Sequence, residues 1–451
     1  MKKIAFSGAS GNGISPLEQI MTLKGYTVYG TDHSFDIGKD ADRKNALSDV
    51  GIKIVRQDGS VITDDIEFLC VSAAIKDSNP DVKKAKEKNI PIKFRSDLLR
   101  DIFSQYTYGI AVGGTAGKTT TTAMIGYVLE TLNKKPCMIN GGALCNFQNQ
   151  KGIPNYIYNE GDICVIEADE SDGSITKYLP FVGIINNISH DHTSMEKLIE
   201  YFTAFANNSQ NLVINLDCPH TSKIAHNSYK TFSTKNSKAD FYAYNVKATA
   251  TGVEYDFMGK KFQLQMLGAF NVSNALATIT ACSFLGIDPV LCAKTLEGFL
   301  GIKTRLEKIG SKNDIIVYND FAHNPSKIRA SLEALKAYSG RVIAMYQPHT
   351  PFSAVNTGDE MAAEIANVLD DNDVIIIQEI YELTENDVGI TSNNIVKEII
   401  NNGHPNALFL PTKADTKSFI VNNIRQGDRI IIMGAHDNSL ADFCREILEA
   451  I

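Results

Sequence analysis

The sequence predicts an α/β protein of three domains in series, and three observations carry that expectation. Short apolar runs of strand length alternate with helix-length amphipathic segments along the chain. A glycine-rich turn, "GGTAGKTT", stands between an apolar strand and a helix. At 451 residues the chain is also too long for one hydrophobic core.

The first block, about residues 1–105, contains the strands "KKIAFSG", "YTVYGTD", "GIKIV" and "IEFLCVSAA", with a helix "SPLEQIMTLKG" closed by glycine. This βαβ order predicts a Rossmann-like domain with a parallel sheet. Gly8, Gly11 and Gly13 follow the first strand, and Asp32 ends the second. Their spacing, G-x-x-G-x-G, departs from the fingerprint of dinucleotide binders. The second block, 106–301, opens with "TYGIAVGG" and includes "GDICVIEAD" and "FVGIINNIS". It is expected to be an α/β domain of the P-loop ATPase type. The third, 302–451, alternates "DIIVYNDF", "RVIAMYQP", "DVIIIQEI" and "DRIIIMGA" with helices such as "PSKIRASLEALKAY", a second Rossmann-like pattern. "FLGIKTRLE" marks the junction before it.

Composition narrows the function. Hydrophobic residues make up 43% and charged residues 21% of the chain, as in soluble globular proteins. No apolar run approaches the roughly 18 residues that a membrane span requires, and the N-terminus lacks the pattern of a signal peptide. The eight cysteines include no C-x-x-C pair and read as reduced core thiols of a cytoplasmic protein. A net charge of −8 gives no reason to expect a nucleic-acid partner.

The turn at residues 113–119 carries the chemistry. Gly113, Gly114 and Gly117 let backbone N–H groups converge on phosphate oxygens at a helix N-terminus, with Thr115 and Thr120 flanking them. Lys118 would reach the β- and γ-phosphates, and the Thr119 hydroxyl would bind Mg²⁺. Val112 stands where the longer G-x-x-x-x-G-K-[ST] pattern has its first glycine. Two polar clusters follow in the same block, each near the end of a strand, where open α/β sheets bind ligands. "VIEADESDGS" brings Glu167, Asp169, Glu170 and Asp172, and "NNISHDHTS" brings His190, Asp191 and His192. Carboxylates beside a triphosphate imply an intervening cation, Mg²⁺ or in its place Mn²⁺.

"AVGGTAGKTTTT", "EADESD", "NNISHDH", "GAFNVSNALA", "TRLE", "DFAHNP" and "YQPH" occur in the order found in the Mur ligases. The chain resembles that family, the ATP-dependent amide ligases of peptidoglycan synthesis, nearly end to end. "EADESD" and "QPH" point to its alanine-adding branch. The resemblance implies that ATP phosphorylates the carboxylate of a UDP-sugar acid, UDP-N-acetylmuramate, and that the amine of L-alanine then displaces phosphate. It implies roles position by position. Lys118 serves the phosphates, while Thr119, Glu167 and His192 hold the metal. Asn271 and Asn274 meet the adenine side of ATP, and Arg305 and Asp320 close on ATP from the third domain. His323 and His349 lie at the amino-acid end, with His323 near the transferred phosphate. Gly8, Gly11, Gly13, Asp32 and Ser72 take the UDP-sugar. The enzyme is expected to act in the cytoplasm, as a monomer or homodimer.

Three positions depart from that branch. Ala116 replaces a histidine in the phosphate loop, and Phe270 precedes Asn271 where the branch has histidine. Thr350 follows His349 where the branch carries arginine, and losing a bidentate carboxylate partner is not neutral. The stretch "YFTAFANNSQNLVI" lacks the lysine that several other Mur ligases modify, as in the alanine-adding branch. Two alternatives stay open. One is a divergent Mur-type ligase adding another amino acid or a peptide, in murein peptide recycling or a pseudomurein-type pathway. The other is a P-loop NTPase switch.

Overall fold

Three sheets form, and their central strands are the apolar runs of the sequence. The computed structural model describes residues 2–451 apart from 190–193, 225, 382–388 and 436. In the first sheet the strands run in the order Lys53–Val55, Thr27–Thr31, Lys3–Ser7, Ile66–Val71, Ile92–Phe94, all parallel. Lys3–Ser7 is central, and its last residue pairs with Thr31 on one side and Val71 on the other. The turns after these three strands therefore converge, bringing together the glycines after Ser7, Asp32 and Ser72.

The second sheet places Tyr108–Gly113 between Val182–Ile185 and Ile163–Glu167, with parallel pairings Gly113↔Ile185 and Val112↔Glu167. Asn211–Asn215 and Tyr229–Ser233 extend it on one side, and Cys137–Ile139 and the antiparallel Tyr156–Ile157 on the other. Strands Phe241–Thr249, Gly252–Phe257 and Lys260–Leu264 follow in the chain, joined by short turns that the sequence reading did not resolve.

By packing, the chain divides into two units. The first holds residues 1–246, 255–262 and 272–300; the second holds 247–254, 263–271 and 301–451. The first sheet and the parallel core of the second share the first unit because one hydrophobic core serves both. Ile4, Leu17, Leu98 and Phe103 belong to the same buried cluster as Cys164, Ile166, Ile185 and Phe202. Buried polar contacts lock the two sheets' layers together. Gln19, on helix Ser15–Leu23, donates to Asn155 Oδ1 at 3.0 Å and accepts from Ile153 N at 2.8 Å. Asn155 in turn donates to Ser15 Oγ at 2.9 Å.

The second unit carries the third sheet, in the order Glu307–Lys312, Ile315–Asp320, Arg429–Gly434, Val342–Gln347, Val374–Ile377, Ala407–Phe409. Only the first pair is antiparallel. Apolar clusters cover both of its faces, as a parallel sheet requires. Arg429 is a buried cation within it, 2% exposed. Its guanidinium donates to the carbonyls of Leu335, Tyr338 and Gly340 and lies 4.2 Å from the ring centroid of Tyr338. It thereby satisfies carbonyls at the C-terminal end of helix Pro325–Lys336. Arg429→Ala is expected to destabilise the second unit by about 3 kcal/mol or more, because those carbonyls lose a charged donor and a cavity opens. Chemical denaturation reads this, and a loss below about 1 kcal/mol would show that water replaces the guanidinium at little cost.

Seven of the eight cysteines are buried, Cys145 is half-buried, and none forms a disulfide. No helix among the described residues is long and apolar enough to cross a membrane.

Candidate active site

The phosphate loop forms where the sequence places it, between strand Tyr108–Gly113 and helix Lys118–Thr131. Gly117 occupies the N-cap position with φ +83°. A Cβ there would come within 2.6 Å of Asn274 Oδ1 and 3.0 Å of Asn186 Nδ2, so only glycine fits. The cap supplies no side-chain hydrogen bond. Helix Pro325–Lys336, by contrast, is capped by Asn324 Oδ1 accepting from Lys327 N at 2.9 Å. The first-turn N–H groups after Gly117 thus keep their capacity for an anion.

Asn187 braces the loop. Its Oδ1 accepts from Thr115 Oγ1 at 2.9 Å and Ala116 N at 2.8 Å, and its Nδ2 donates to Ala116 O at 3.0 Å. Thr120 is buried in the first helical turn. Asn186 donates to Thr121 Oγ1 at 2.9 Å, and that hydroxyl donates to Asn274 Oδ1 at 3.3 Å. Asn274 therefore joins the phosphate loop within the first unit. The asparagines of the "NNISHDH" stretch shape the loop, whereas His190, Asp191 and His192 lie outside the described residues.

Lys118 and Thr119 each meet a carboxylate. Lys118 Nζ donates to Glu170 at 2.8 and 3.0 Å and to Gly114 O at 2.8 Å, with Asp169 Oδ1 at 3.9 Å. Burial works against its ammonium, but Glu170 and Asp169 outweigh it and hold the pKa above the ordinary lysine value. Burial pushes the Glu170 carboxyl up, an effect that Lys118 offsets only in part. For Asp169 the balance reverses: burial is overcome by Lys118 and the Ser171 N–H, and the pKa falls. Thr119 Oγ1 donates to Glu167 Oε2 at 2.9 Å, while Glu167 Oε1 accepts from Gly141 N. A hydroxyl and a carboxylate side by side are hard oxygen donors that suit Mg²⁺, so the residues fit the ion the sequence implies.

A cavity of about 300 Å³ links this carboxylate to the first sheet. Gly11, Gly13 and Ser72 line one part, and Asn140, Gly141, Glu167 and Asp169 another. Arg95, at the start of helix Arg95–Phe103, is the one basic side chain of its lining among the described residues. A Cβ on Gly13 would lie 2.9 Å from Arg95 Cδ, so that glycine lets the arginine approach. Gly8 lies beside this lining: a Cβ on it would stand 3.9 Å from Ser72 Oγ. Asp32 organises the glycine turn, accepting from Ser10 N at 2.9 Å, Ser10 Oγ at 2.7 Å and Ser34 N at 2.9 Å. Arg95, Asn140 and Gly141 escaped the sequence reading. A lone arginine after "IPIKF" was the available signal for the first, and the Asn-Gly-Gly after strand Cys137–Ile139 for the others.

The remaining expected residues gather in the second unit. Arg305 lies 4.5 Å from the centroid of the Phe321 ring, and Phe321 N donates to Thr304 O at 2.8 Å. Asp320 accepts from Leu306 N at 3.2 Å and from the Ser331 hydroxyl, and burial raises its pKa. The His323 and His349 rings meet edge to face at 5.4 Å. Burial, with Lys327 adding, pushes His323 down to about 3, so its ring is neutral at pH 7. Its Nδ1 is 2.8 Å from Phe321 O and must donate there, which leaves Nε2 as an acceptor. Asn271 donates to Leu267 O at 2.7 Å and shares helix Phe270–Phe284 with Asn274.

A phosphate loop whose lysine and threonine face carboxylates, at the C-terminal edge of a parallel sheet, defines a nucleotide-dependent enzyme of the P-loop type. Three family models cover most of the chain: the Mur ligase catalytic domain at residues 3–107, the Mur ligase middle domain at 112–282, and the glutamate ligase domain of Mur ligases at 304–436. The chain is 34% identical to a UDP-N-acetylmuramate–L-alanine ligase of Dictyoglomus turgidum, over 96% of this chain and 94% of that one. It is 32% identical to the enzyme of the same name from a Sulfurihydrogenibium species, over 96% and 95%. The solved structure of the UDP-N-acetylmuramate–alanine ligase of Thermotoga maritima superimposes with a TM-score of 0.83 at 26% identity, covering 99% of this chain and 98% of that one. The chain belongs to the Mur ligase family, ATP-dependent enzymes that form carbon–nitrogen bonds.

Proposed function

We propose that this ligase couples L-alanine to UDP-N-acetylmuramate at the expense of ATP. The observation that carries the reading is the cavity running from the glycine turn of the first sheet to Glu167 beside the phosphate loop. A UDP-sugar acid lying in it, with Gly8, Gly11, Gly13, Asp32 and Ser72 at the nucleotide end, would present its carboxylate at the γ-phosphate. The names of the full-length relatives support the choice of substrates.

In this reading residues 1–105 take the UDP-sugar, 106–301 take ATP and the metal, and 302–451 take the amino acid. A carboxylate oxygen attacks the γ-phosphorus, the bond to the β–γ bridging oxygen breaks, and ADP leaves. The amine then attacks the acyl carbon, loses a proton, and inorganic phosphate departs. Lys118 and the first-turn N–H groups stabilise the charge on the transferring phosphoryl group. Thr119 and Glu167, with His192, would hold Mg²⁺, which when bound neutralises phosphate charge. Asn271 and Asn274 serve the adenine, Arg305 and Asp320 the ATP, and His349 the amino acid. His323 offers its Nε2 lone pair to the incoming amine. Thiols without disulfides suit the cytoplasm.

Phosphate release from ATP and Mg²⁺ should require both UDP-N-acetylmuramate and L-alanine, and mass spectrometry should find the sugar nucleotide heavier by one alanine residue. Release with a different amine from a panel of amino acids and peptides would keep the chemistry and move the specificity. Thr350, in place of a carboxylate-binding arginine, favours that second reading. Release that needs no acceptor would overturn both.

A further inference from the structure

Glu170 is not among the groups the ligase reaction calls for, yet its carboxylate pairs with the phosphate-loop lysine at 2.8 Å. An ammonium has three N–H donors. Nζ of Lys118 lies 3.0 Å from Glu170 Oε1, 2.8 Å from Glu170 Oε2 and 2.8 Å from Gly114 O. The two Glu170 oxygens share one N–H and Gly114 takes another, with Asp169 Oδ1 at 3.9 Å, so the ammonium is turned toward the carboxylates and its charge is met by a residue that is only 3% exposed. Backbone contacts hold the turn that carries Glu170: Gly173 N donates to Glu170 O at 3.0 Å and Ile175 N to Asp169 O at 2.9 Å. A phosphate oxygen that approaches Lys118 meets the like charge of Glu170 on the same ammonium, and the lysine can turn fully to the phosphate only by turning away from Glu170.

We propose that Glu170 competes with the terminal phosphates of the nucleotide for Lys118, so that nucleotide binding and release of this ion pair are one event. Glu170 is then a positioning residue. It keeps the lysine turned toward the carboxylate loop until a triphosphate draws it away, and it lowers the affinity for nucleotide. The inference rests on Lys118 being the phosphate lysine, as proposed above.

The test is the affinity of the full chain for the Mg²⁺ complex of a non-hydrolysable ATP analogue, measured by titration calorimetry. Glu170→Gln, which keeps the shape and loses the charge, is expected to bind the analogue about tenfold more tightly, the scale of one lost ionic competitor. Its KM for ATP falls without a matching rise in kcat. Glu170→Ala should also bind more tightly, whereas Glu170→Asp, which keeps the charge, should stay within about threefold of the parent. A residue that only braced the loop would weaken binding when changed. Unchanged or weaker binding in Glu170→Gln and Glu170→Ala, while Lys118→Ala loses binding, overturns the inference and leaves the phosphate-loop reading standing. Normal binding in Lys118→Ala overturns that reading and the inference with it.

Discussion

Lys118→Ala is expected to lower kcat/KM for ATP-dependent ligation by about 10³-fold, the cost of removing a cation aimed at transition-state charge. The substrates are both anionic at the reacting centre, so the loss should appear in kcat as well as in KM. A second effect follows from the geometry. Lys118 neutralises Glu170, whose side chain is 4% exposed, and removing the lysine leaves a buried carboxylate without its counter-charge. Breaking a pair of this kind costs about 3 kcal/mol. Lys118→Ala should therefore denature at lower urea than the parent. Adding Glu170→Gln to it should recover most of that stability and none of the activity. The two changes would then be strongly non-additive in stability, and the lower KM for ATP expected of Glu170→Gln alone would be absent once Lys118 is gone. Equal stability of the single and double variants would mean that Glu170 takes up a proton or water once alone. Ligation surviving in Lys118→Ala would remove the lysine from the mechanism.

That pairing marks the boundary of what the sequence could show. The phosphate loop was legible because strand, glycines, lysine, threonine and helix are consecutive, and their conformations follow from local rules. The central strands of all three sheets were legible for the same reason, as short apolar runs between turns. What escaped is what only packing decides. Arg95 lies on a helix of the first sheet's domain but lines a cavity together with Asn140, Gly141 and Glu167, which come from strands of the second sheet or the turns after them. No spacing in the chain records that approach. Glu170 stood in a quoted acidic stretch, yet its partner was set by the neighbouring pairings of Tyr108–Gly113 with Ile163–Glu167. Alternation of strands and helices revealed three sheets, and the structure adds that the first two share one buried cluster. The antiparallel edge strand Glu307–Lys312 was missed because "EKIGSK" is mostly polar and half exposed, with no apolar run to betray it.

Glu167→Gln should separate two roles of one carboxylate. The side chain joins two elements, accepting from the Thr119 hydroxyl through Oε2 and from Gly141 N through Oε1. Glutamine can preserve both contacts: its oxygen accepts from the amide of Gly141, and its NH₂ donates to a Thr119 hydroxyl that rotates to accept. The fold around the site should thus survive, with stability changed by less than about 1 kcal/mol. The negative charge does not survive, and a neutral amide is a poorer ligand for a hard dication than a carboxylate. The Mg²⁺ concentration for half-maximal ligation is therefore expected to rise by at least about tenfold, since even partners of metal ligands commonly contribute that much. At saturating Mg²⁺ part of kcat should return, because the remaining defect is weakened metal binding rather than a misplaced loop. An unchanged Mg²⁺ requirement with reduced kcat would confine Glu167 to anchoring Thr119 and Gly141. An unchanged requirement with full activity would take the carboxylate out of the site altogether, and the cation would have to be held by Thr119 with other oxygens of the "EADESD" turn.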